Sequence, residues 1–459
     1  MKISEAVADS NKRNESRQLM SIALPLMMGL ALEQLIGMTD VLFLGRYGEA
    51  ELAAAGVAGI YVMLVMMLGL GYTVGSQSLM SRANGAGRAE EVGAIFRQSA
   101  IFMTACGFVI MLASWFLIGP MFERFIAADA VRKAADDYVF WRLAGLPFAY
   151  VGLLARAYFV AVMHTRVITS ASIVMVLVNC GLNSLLIFGL GPFPELGIAG
   201  AAIASAVSEL AALAVYFQFL RHSASSKLLE VSKHLWRLDW LLQHRIFMLS
   251  RWLMLQEAMA FGVWLYFFIV VENAGGERAL ALSNIVRQLG AVLFLFVHAF
   301  GSAAGTIAAN YAGAGKPEWI RPMASLALRL CALVLLPFFL CFALFPSLVL
   351  GILTDLPEVI SDAKPSFYVM VLAYALTTPA YLYFFVIGAL GFAKESFRMT
   401  VTAVAAYGVY IAVLNLFTPP TAVYWTADIV YGLTLWLGVT VVWRRARAAG
   451  FRSAAADGF

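Results

Sequence analysis

The chain consists of long apolar runs separated by short polar segments. Most runs are long enough to cross a bilayer, because a spanning helix needs about 20 mainly apolar residues. The pattern therefore predicts an all-α integral membrane protein with twelve spanning helices. The predicted spans are 19–44, 51–82, 93–119, 132–160, 167–190, 198–220, 245–272, 278–311, 320–350, 361–391, 397–416 and 422–443.

The longest polar segment between spans, residues 221–244, divides six predicted spans from six. Its tryptophans and leucines, set among charges, predict a helix that lies on the membrane surface. Six spans return the chain to its starting side, so the two six-helix bundles are predicted to be parallel repeats related by a pseudo-two-fold axis. The predicted divisions are a cytoplasmic tail (1–18), an N-terminal bundle (19–220), a cytoplasmic linker (221–244), a C-terminal bundle (245–443) and a second cytoplasmic tail (444–459).

A glycine-rich phrase closes the second span of each half. Residues 84–92 read NGAGRAEEV and residues 312–320 read AGAGKPEWI. The matching registers indicate two duplicated bundles, an arrangement typical of transporters. The glycines permit a tight turn where a helix ends, and we interpret the phrase as a topological turn rather than a chemical motif.

Composition supports the membrane assignment. Of 459 residues, 62% are hydrophobic and 13% are charged, whereas about 25% of a soluble domain is charged. The net charge of +5 does not indicate nucleic acid, since Lys and Arg concentrate in alternate loops, the pattern of the inner side of a membrane. Arg156 is counted among these inner charges. Both termini are predicted to be cytoplasmic, in a bacterial-type inner membrane, and we expect a monomer.

No sequence pattern indicates an enzyme or a cofactor. The Gly-x-x-x-x-Gly-Lys-Ser/Thr phrase of a nucleotide site does not occur, and no histidine cluster has metal-ligand spacing. The cysteines have no paired spacing, so we expect small buried hydrophobic residues rather than disulfides or metal ligands. They are Cys106, Cys180, Cys331 and Cys341.

Polar side chains within the first bundle are candidates for chemistry. The first span carries Glu33 and Asp40, seven residues apart, and the fifth carries Asn179 and Asn183, four apart, so each pair lies near one helix face. An acid at this depth can take up a proton or coordinate a cation with neighbouring oxygens. Ser205 of the sixth span is a further candidate. The alternative is a structural role: each acid is hydrogen-bonded within the bundle, and the two asparagines hydrogen-bond a neighbouring helix.

The second bundle carries a different set of polar residues. A shift of 224 residues places Glu257 of the seventh span on Glu33, but it places Trp264 on Asp40. The two bundles are therefore not chemically equivalent.

Ionisable residues of the eighth span are second-bundle candidates as well. Arg287 could form a structural ion pair with Glu257 or Glu272. His298 is either a satisfied interior histidine or part of a proton relay. Further buried-charge candidates are Arg142 and Asp428.

The tenth span is rich in tyrosine. Such surfaces suit planar organic cations, through stacking and cation–π contacts, although packing also explains aromatic residues in a membrane helix. A substrate cavity is predicted to include Gln34, Tyr374 and Tyr381.

Four segments of the sequence carry a family resemblance. They are LPLMMGLALEQLIGMTDVLFLGRYG (24–48), SRANGAGRAEEVG (81–93), NCGLNSLLIFGLGPFPELGIAGAAIAS (179–205) and HAFGSAAGTIAANYAGAGKPE (298–318). They resemble the MATE (multidrug and toxic compound extrusion) transporters, and the resemblance covers nearly the whole chain. It implies two bundles arranged in a V. It also implies export of small organic-cationic or amphipathic compounds by alternating access, against inward flow of Na⁺ or H⁺.

Several residues match the family's first-bundle site. Asp40 matches its acid of the first span, and Asn179 and Asn183 match the pair that joins this acid around H⁺ or Na⁺. The second of the pair is an acid in several members, so Asn183 removes one charge and leaves the coupling ion open. Ser205 matches a threonine near the site. Pro25 matches a proline at which the first helix bends in some members.

The second bundle departs from the family pattern. Glu257 matches an acid of the seventh span in the Na⁺-coupled, NorM-like branch. That branch also has an acid in the tenth span, and the closest position here is Tyr381. We therefore expect no complete cation site in the second bundle. The usual proline of the seventh span is replaced by Leu249.

Two other functions stay open from the sequence. A lipid-linked saccharide flippase of the wider superfamily would have two further helices and a basic cavity, whereas the interior candidates here are mainly acidic. A membrane-embedded enzyme would need a reactive cluster, which the sequence does not offer.

Overall fold

The structure is a computed structural model that describes residues 2–126, 128–222, 238–417 and 419–451, with the backbone alone for residues 2–13, 125 and 222. Secondary structure in these ranges is helical, without a strand, as the apolar runs predict. Helices suit a spanning chain because they satisfy every backbone N–H and C=O group internally, where hydrocarbon offers no partner.

The helices follow one another with short connections. The first seven are α1 (Lys2–Tyr47), α2 (Glu49–Gly85), α3 (Ala89–Phe125), α4 (Asp129–Ala144), α5 (Leu146–Ala161), α6 (Arg166–Ile187) and α7 (Gly197–His222). The others are α8 (Trp240–Gly313), α9 (Ile320–Leu344), α10 (Pro346–Leu350), α11 (Pro357–Ala389), α12 (Ala393–Asn415), α13 (Thr421–Tyr424) and α14 (Ala427–Ala448).

The helices account for the twelve predicted spans. Ten helical segments of the described chain are long and apolar enough to cross a membrane, and α4 with α5, which are bent by 50° at their junction, pass the same test when they are taken together as one broken span. Helix α8 has 74 residues, or about 110 Å of helix, and Gly276 interrupts it with a φ of +67°. One crossing needs about 20 residues, so the two parts of α8 correspond to the seventh and eighth predicted spans.

The chain divides into two compact units. The first unit is Leu24–Met254, and the second unit is Met1–Ala23 together with Leu255–Phe459. The division falls within α1 and within α8. The predicted limits of tails, bundles and linker stay predictions. Most of the predicted surface helix (223–237) and the end of the C-terminal tail (452–459) lie outside the described residues.

The repeated glycine phrase forms the same turn in both copies. Helices α2 and α8 end within it. Gly87 and Gly315 have φ angles of +72° and +70°, a left-handed conformation that glycine adopts without a Cβ clash. The N–H groups of Arg88 and Lys316 each donate to the carbonyl five residues earlier, at 2.9 Å. The phrase therefore ends a helix, as predicted.

The four cysteines are free thiols, and their burial differs from the prediction. Cys331 is buried and two others are half-buried, but Cys341 on α9 is exposed. The prediction of burial was wrong for Cys341, because the outer face of a spanning helix meets lipid and can carry an apolar side chain without protein contacts.

A close approach of two helices in the first unit requires glycine. A Cβ added at Gly71 of α2 would lie 2.5 Å from Met254 Cα and 2.8 Å from the carbonyl oxygen of Leu253 on α8. Both contacts are with backbone, which cannot turn away as a side chain can.

We expect Gly71→Ala to destabilise the protein by about 1–3 kcal/mol, the usual effect of overpacking a closed contact. Gly56→Ala in the same helix is the matched control, since a Cβ there meets nothing within 4 Å and removing a helical glycine stabilises by about 0.5–1 kcal/mol. Thermal unfolding of the purified variants in detergent measures both. Equal midpoints for the two variants would contradict the close approach.

Candidate functional site

Four polar side chains meet within the first unit. Asp40 of α1 accepts hydrogen bonds from Asn183 Nδ2 at 2.6 Å and from Ser205 Oγ at 3.1 Å. Asn183 Nδ2 also donates to Asn179 Oδ1 at 3.1 Å, and Asn179 Nδ2 donates to Ser205 Oγ at 3.2 Å. The structure thus brings together the four residues that match the family's first-bundle site. We call them the Asp40 cluster.

Helical spacing and burial produce the Asp40 cluster. Asn179 and Asn183 lie one turn apart on α6, which packs along α7, the helix that carries Ser205. Both asparagines are fully buried, and buried polar groups are almost always hydrogen-bonded. One atom of the cluster is an exception: Asn183 Oδ1 is buried without a hydrogen-bond partner. An amide oxygen of this kind is a ligand type for hard cations.

A cavity of about 370 Å³ adjoins the Asp40 cluster. Asp40 and Ser205 form part of its wall, and so do apolar side chains such as Met63, Met66 and Leu153. Two ion pairs, Arg142 with Glu209 and Arg156 with Glu33, also line the cavity. The cavity therefore combines apolar surface with charges of both signs.

The ion pair beside Asp40 joins α4 to α7. Arg142 Nη1 donates to Glu209 Oε2 at 3.0 Å, and Arg142 Nη2 donates to Glu209 Oε1 at 2.5 Å. This fork-to-fork geometry is the strong form of an arginine–carboxylate pair. Arg142 also lies close enough to Asp40 and Tyr138 to interact with them electrostatically.

The second ion pair corrects an expectation. The charge pattern predicts that Arg156 is an inner-side charge, but it lies within α5 and lines the cavity, where Nη1 donates to Glu33 Oε1 at 2.5 Å. Glu33 is therefore paired with Arg156 and does not join the Asp40 cluster. The positive-inside rule counts Lys and Arg near the ends of spans. It does not predict whether a side chain on the helix faces the loop side or an internal cavity.

The predicted hinge residue lies in a continuous helix. Pro25 is inside α1, where it cannot donate a hydrogen bond to the carbonyl four residues earlier. Thr169 Oγ1 of α6 donates to the carbonyl oxygen of Pro25 at 3.2 Å. The role of Pro25 as a hinge stays a prediction.

Arg287 in the second unit contacts aromatic rings instead of forming the predicted ion pair. Within the described chain it forms no ion pair with Glu257 or Glu272. Its guanidinium lies 4.8 Å from the ring centroid of Trp264 and 5.5 Å from that of Phe268, and its Nε is buried without a hydrogen-bond partner. A cation–π contact thus takes the place of the expected ion pair.

Aromatic contacts surround the other second-unit candidates. The ring of His298 lies 6.1 Å from Phe294 and 5.0 Å from Phe385, between centroids. Tyr381 packs edge-on against Phe294 at 5.7 Å and stacks on Tyr431 at 6.3 Å. Glu257, which lies on α8, is half-buried.

The predicted substrate-cavity residues do not meet around the described cavity. Gln34 is exposed, because its neighbour Glu33 occupies the face of α1 that turns inward. Tyr374 and Tyr381 belong to the second unit. None of the three lines the cavity of the first unit.

Comparison with known proteins decides the family. The family model MatE matches residues 25–185 and 254–417, more than half of the chain. The chain belongs to the MatE family.

Similar proteins agree with the MatE assignment. The chain is 24% identical to a "FAD transporter" of Shewanella oneidensis, over 78% of each chain. It is 28% identical to a "Probable multidrug resistance protein NorM" of Synechocystis sp., over 75% of this chain and 74% of that protein. The solved structure "Crystal structure of MATE in complex with MaL6" shares the fold, with a TM-score of 0.85, 17% identity and coverage of 95% and 97%. This MatE protein is thus a multi-pass membrane transporter and not an enzyme.

The sequence did not predict that two residues of the cavity wall belong to the site. Glu209 and Arg156 each lie inside a predicted span, 198–220 and 132–160. A charge at that depth costs several kcal/mol unless it is paired. Counting every charge within a span, rather than acids near the middle alone, would have identified them.

We expect Arg142→Gln to destabilise the protein by about 3–5 kcal/mol, because it leaves the Glu209 carboxylate buried without its partner. The double variant Arg142→Gln/Glu209→Gln removes both charges and should recover most of the lost stability. Thermal unfolding in detergent compares the two. If the single variant is as stable as the double variant, the ion pair does not hold α4 to α7.

Proposed function

We propose that this MatE protein is an H⁺- or Na⁺-coupled antiporter that exports small organic-cationic or amphipathic compounds by alternating access. It would lie in a bacterial-type inner membrane with both termini cytoplasmic. One observation carries the proposal: Asp40, a carboxylate within a predicted span, accepts hydrogen bonds from the amide of Asn183 and the hydroxyl of Ser205 beside a cavity. The name of the Synechocystis relative, a probable multidrug resistance protein, supports the export of drug-like compounds.

The coupling step follows from the charge of Asp40. The Asp40 carboxylate accepts one N–H and one O–H hydrogen bond. A proton would neutralise it directly. Na⁺ would instead need oxygen ligands, and a half-turn of the Asn183 side-chain amide would direct its unpartnered Oδ1 to the ion. Either ion removes the net charge and weakens the hydrogen bonds that tie α1 to α6 and α7.

Substrate and ion would then compete through one conformational equilibrium. A cationic substrate in the cavity is attracted to ionised Asp40, whereas ion binding removes that attraction. Because Pro25 weakens α1, the helix is the element expected to bend when its ties to α6 and α7 relax. Ion binding on one side of the membrane would therefore favour substrate release.

We expect Asp40→Asn to abolish gradient-driven export in proteoliposomes, since the amide cannot gain or lose the coupling charge. The exposed Asp355→Asn, in the loop after α10, is the matched control and should transport at the wild-type rate. Size-exclusion profiles check that both variants are folded. Full transport by Asp40→Asn would overturn the proposed function.

Separate Na⁺ and pH gradients identify the coupling ion in the same liposomes. If Na⁺ couples, Asn183→Leu should raise the half-saturating Na⁺ concentration about tenfold or more, the usual range when a metal site loses a supporting group. If H⁺ couples, the same variant should still respond to the pH gradient, because a proton needs no amide ligand. A wild-type protein that responds to neither gradient would contradict antiport.

A further inference from the structure

The two cavity arginines are paired differently. Arg142 uses both terminal nitrogens on the two carboxylate oxygens of Glu209, at 3.0 and 2.5 Å. Arg156 donates a single hydrogen bond, from Nη1 to Glu33 Oε1. A guanidinium has five N–H donors in a fixed plane. The other donors of Arg156 bond to no residue that the structure describes, so the cavity wall carries spare donors at this point.

Helix geometry sets the distance between this arginine and the Asp40 cluster. Glu33 and Asp40 are seven residues apart on α1, which places them on one face and about 10 Å apart along the axis. Both line the cavity. The wall of the cavity therefore presents the carboxylate of Asp40 and, about two helical turns away along α1, the guanidinium that Glu33 holds. Apolar side chains, Met63 and Met66 among them, line the wall as well.

Glu33 is the more easily released of the two paired acids. Its side chain is 35% exposed, against 16% for Glu209, and it holds Arg156 by one oxygen. A partly exposed, single-contact ion pair is weak. A carboxylate that enters the cavity can therefore replace Glu33 at Arg156, while Glu33 turns to water.

We propose that the first-unit cavity binds amphipathic molecules by both ends, with a cationic centre at Asp40 and a carboxylate at Arg156, which Glu33 neutralises while the cavity is empty. Arg156 is then a specificity-determining residue for compounds that carry a carboxylate. The inference rests on the proposed antiport, because it takes the cavity beside Asp40 as the substrate site. It adds an anionic group to the cationic character that Asp40 by itself selects.

A pair of dyes tests the carboxylate contact in isolation. Rhodamine B carries a cationic xanthene and a free carboxylate, and its ethyl ester has the same cation with the carboxylate masked. Fluorescence anisotropy with the purified full chain in detergent gives Kd for each dye. The measured quantity is the ratio of Kd for the ester to Kd for rhodamine B, in which effects common to both dyes cancel.

We expect the ratio to fall about tenfold from wild type to Arg156→Gln, as a charge-assisted hydrogen bond is lost. Arg156→Lys keeps the charge and should keep part of the preference. Glu33→Gln removes the internal competitor and should raise the ratio. The double variant Glu33→Gln/Arg156→Gln removes both charges of the ion pair, so no unpaired Glu33 carboxylate can disturb folding. It should show the same loss of preference for rhodamine B as Arg156→Gln.

A ratio that is the same in wild type, Arg156→Gln and Glu33→Gln overturns the inference, and so does the absence of binding by both dyes. The proposed antiport is tested separately by the dependence of gradient-driven export on Asp40. An unchanged ratio with Asp40-dependent export overturns the carboxylate contact alone. A ratio that depends on Arg156 with Asp40-independent export overturns the antiport alone.

Discussion

The cost of a charge within the hydrocarbon region governs the first unit. The charged groups that line the cavity each have a specific partner: Arg142 is paired with Glu209, Arg156 with Glu33, and Asp40 with the amide of Asn183 and the hydroxyl of Ser205. Each of these contacts joins two different helices. The same groups that avoid the cost of burial therefore hold α1, α4, α5, α6 and α7 in register around the cavity.

Within this arrangement Asp40 is distinguished by the neutrality of its direct partners. The two arginines have carboxylates opposite them, but Asp40 has Asn183 and Ser205, which stabilise its charge without cancelling it. The proposed coupling ion would therefore be bound most favourably at Asp40, the one carboxylate of the cavity wall without an arginine partner.

The two halves of the chain share their turns and differ in their chemistry. The glycine phrase gives the same left-handed turn after α2 and after α8. Trp264, the counterpart of Asp40, instead lies under the guanidinium of Arg287. A cation–π contact needs no carboxylate. In the second unit Arg287 therefore lies next to Trp264, the residue at the position that corresponds to Asp40. Duplication thus preserved the backbone and left one unit with the candidate coupling site.

The sequence by itself determined the number of the spanning helices and their order along the chain, the glycine turns and the residues of the Asp40 cluster. Length of apolar run and helical spacing are local properties, and an acid seven residues from another, or two amides four apart, share a face in any helix. Only the tertiary structure decided which charges pair. Arg156 turns inward to Glu33, Glu209 meets Arg142 across α4 and α7, and Arg287 lies on an aromatic ring instead of beside an acid. Pairing depends on how helices distant in sequence rotate against one another, and no property of a single apolar run fixes that rotation.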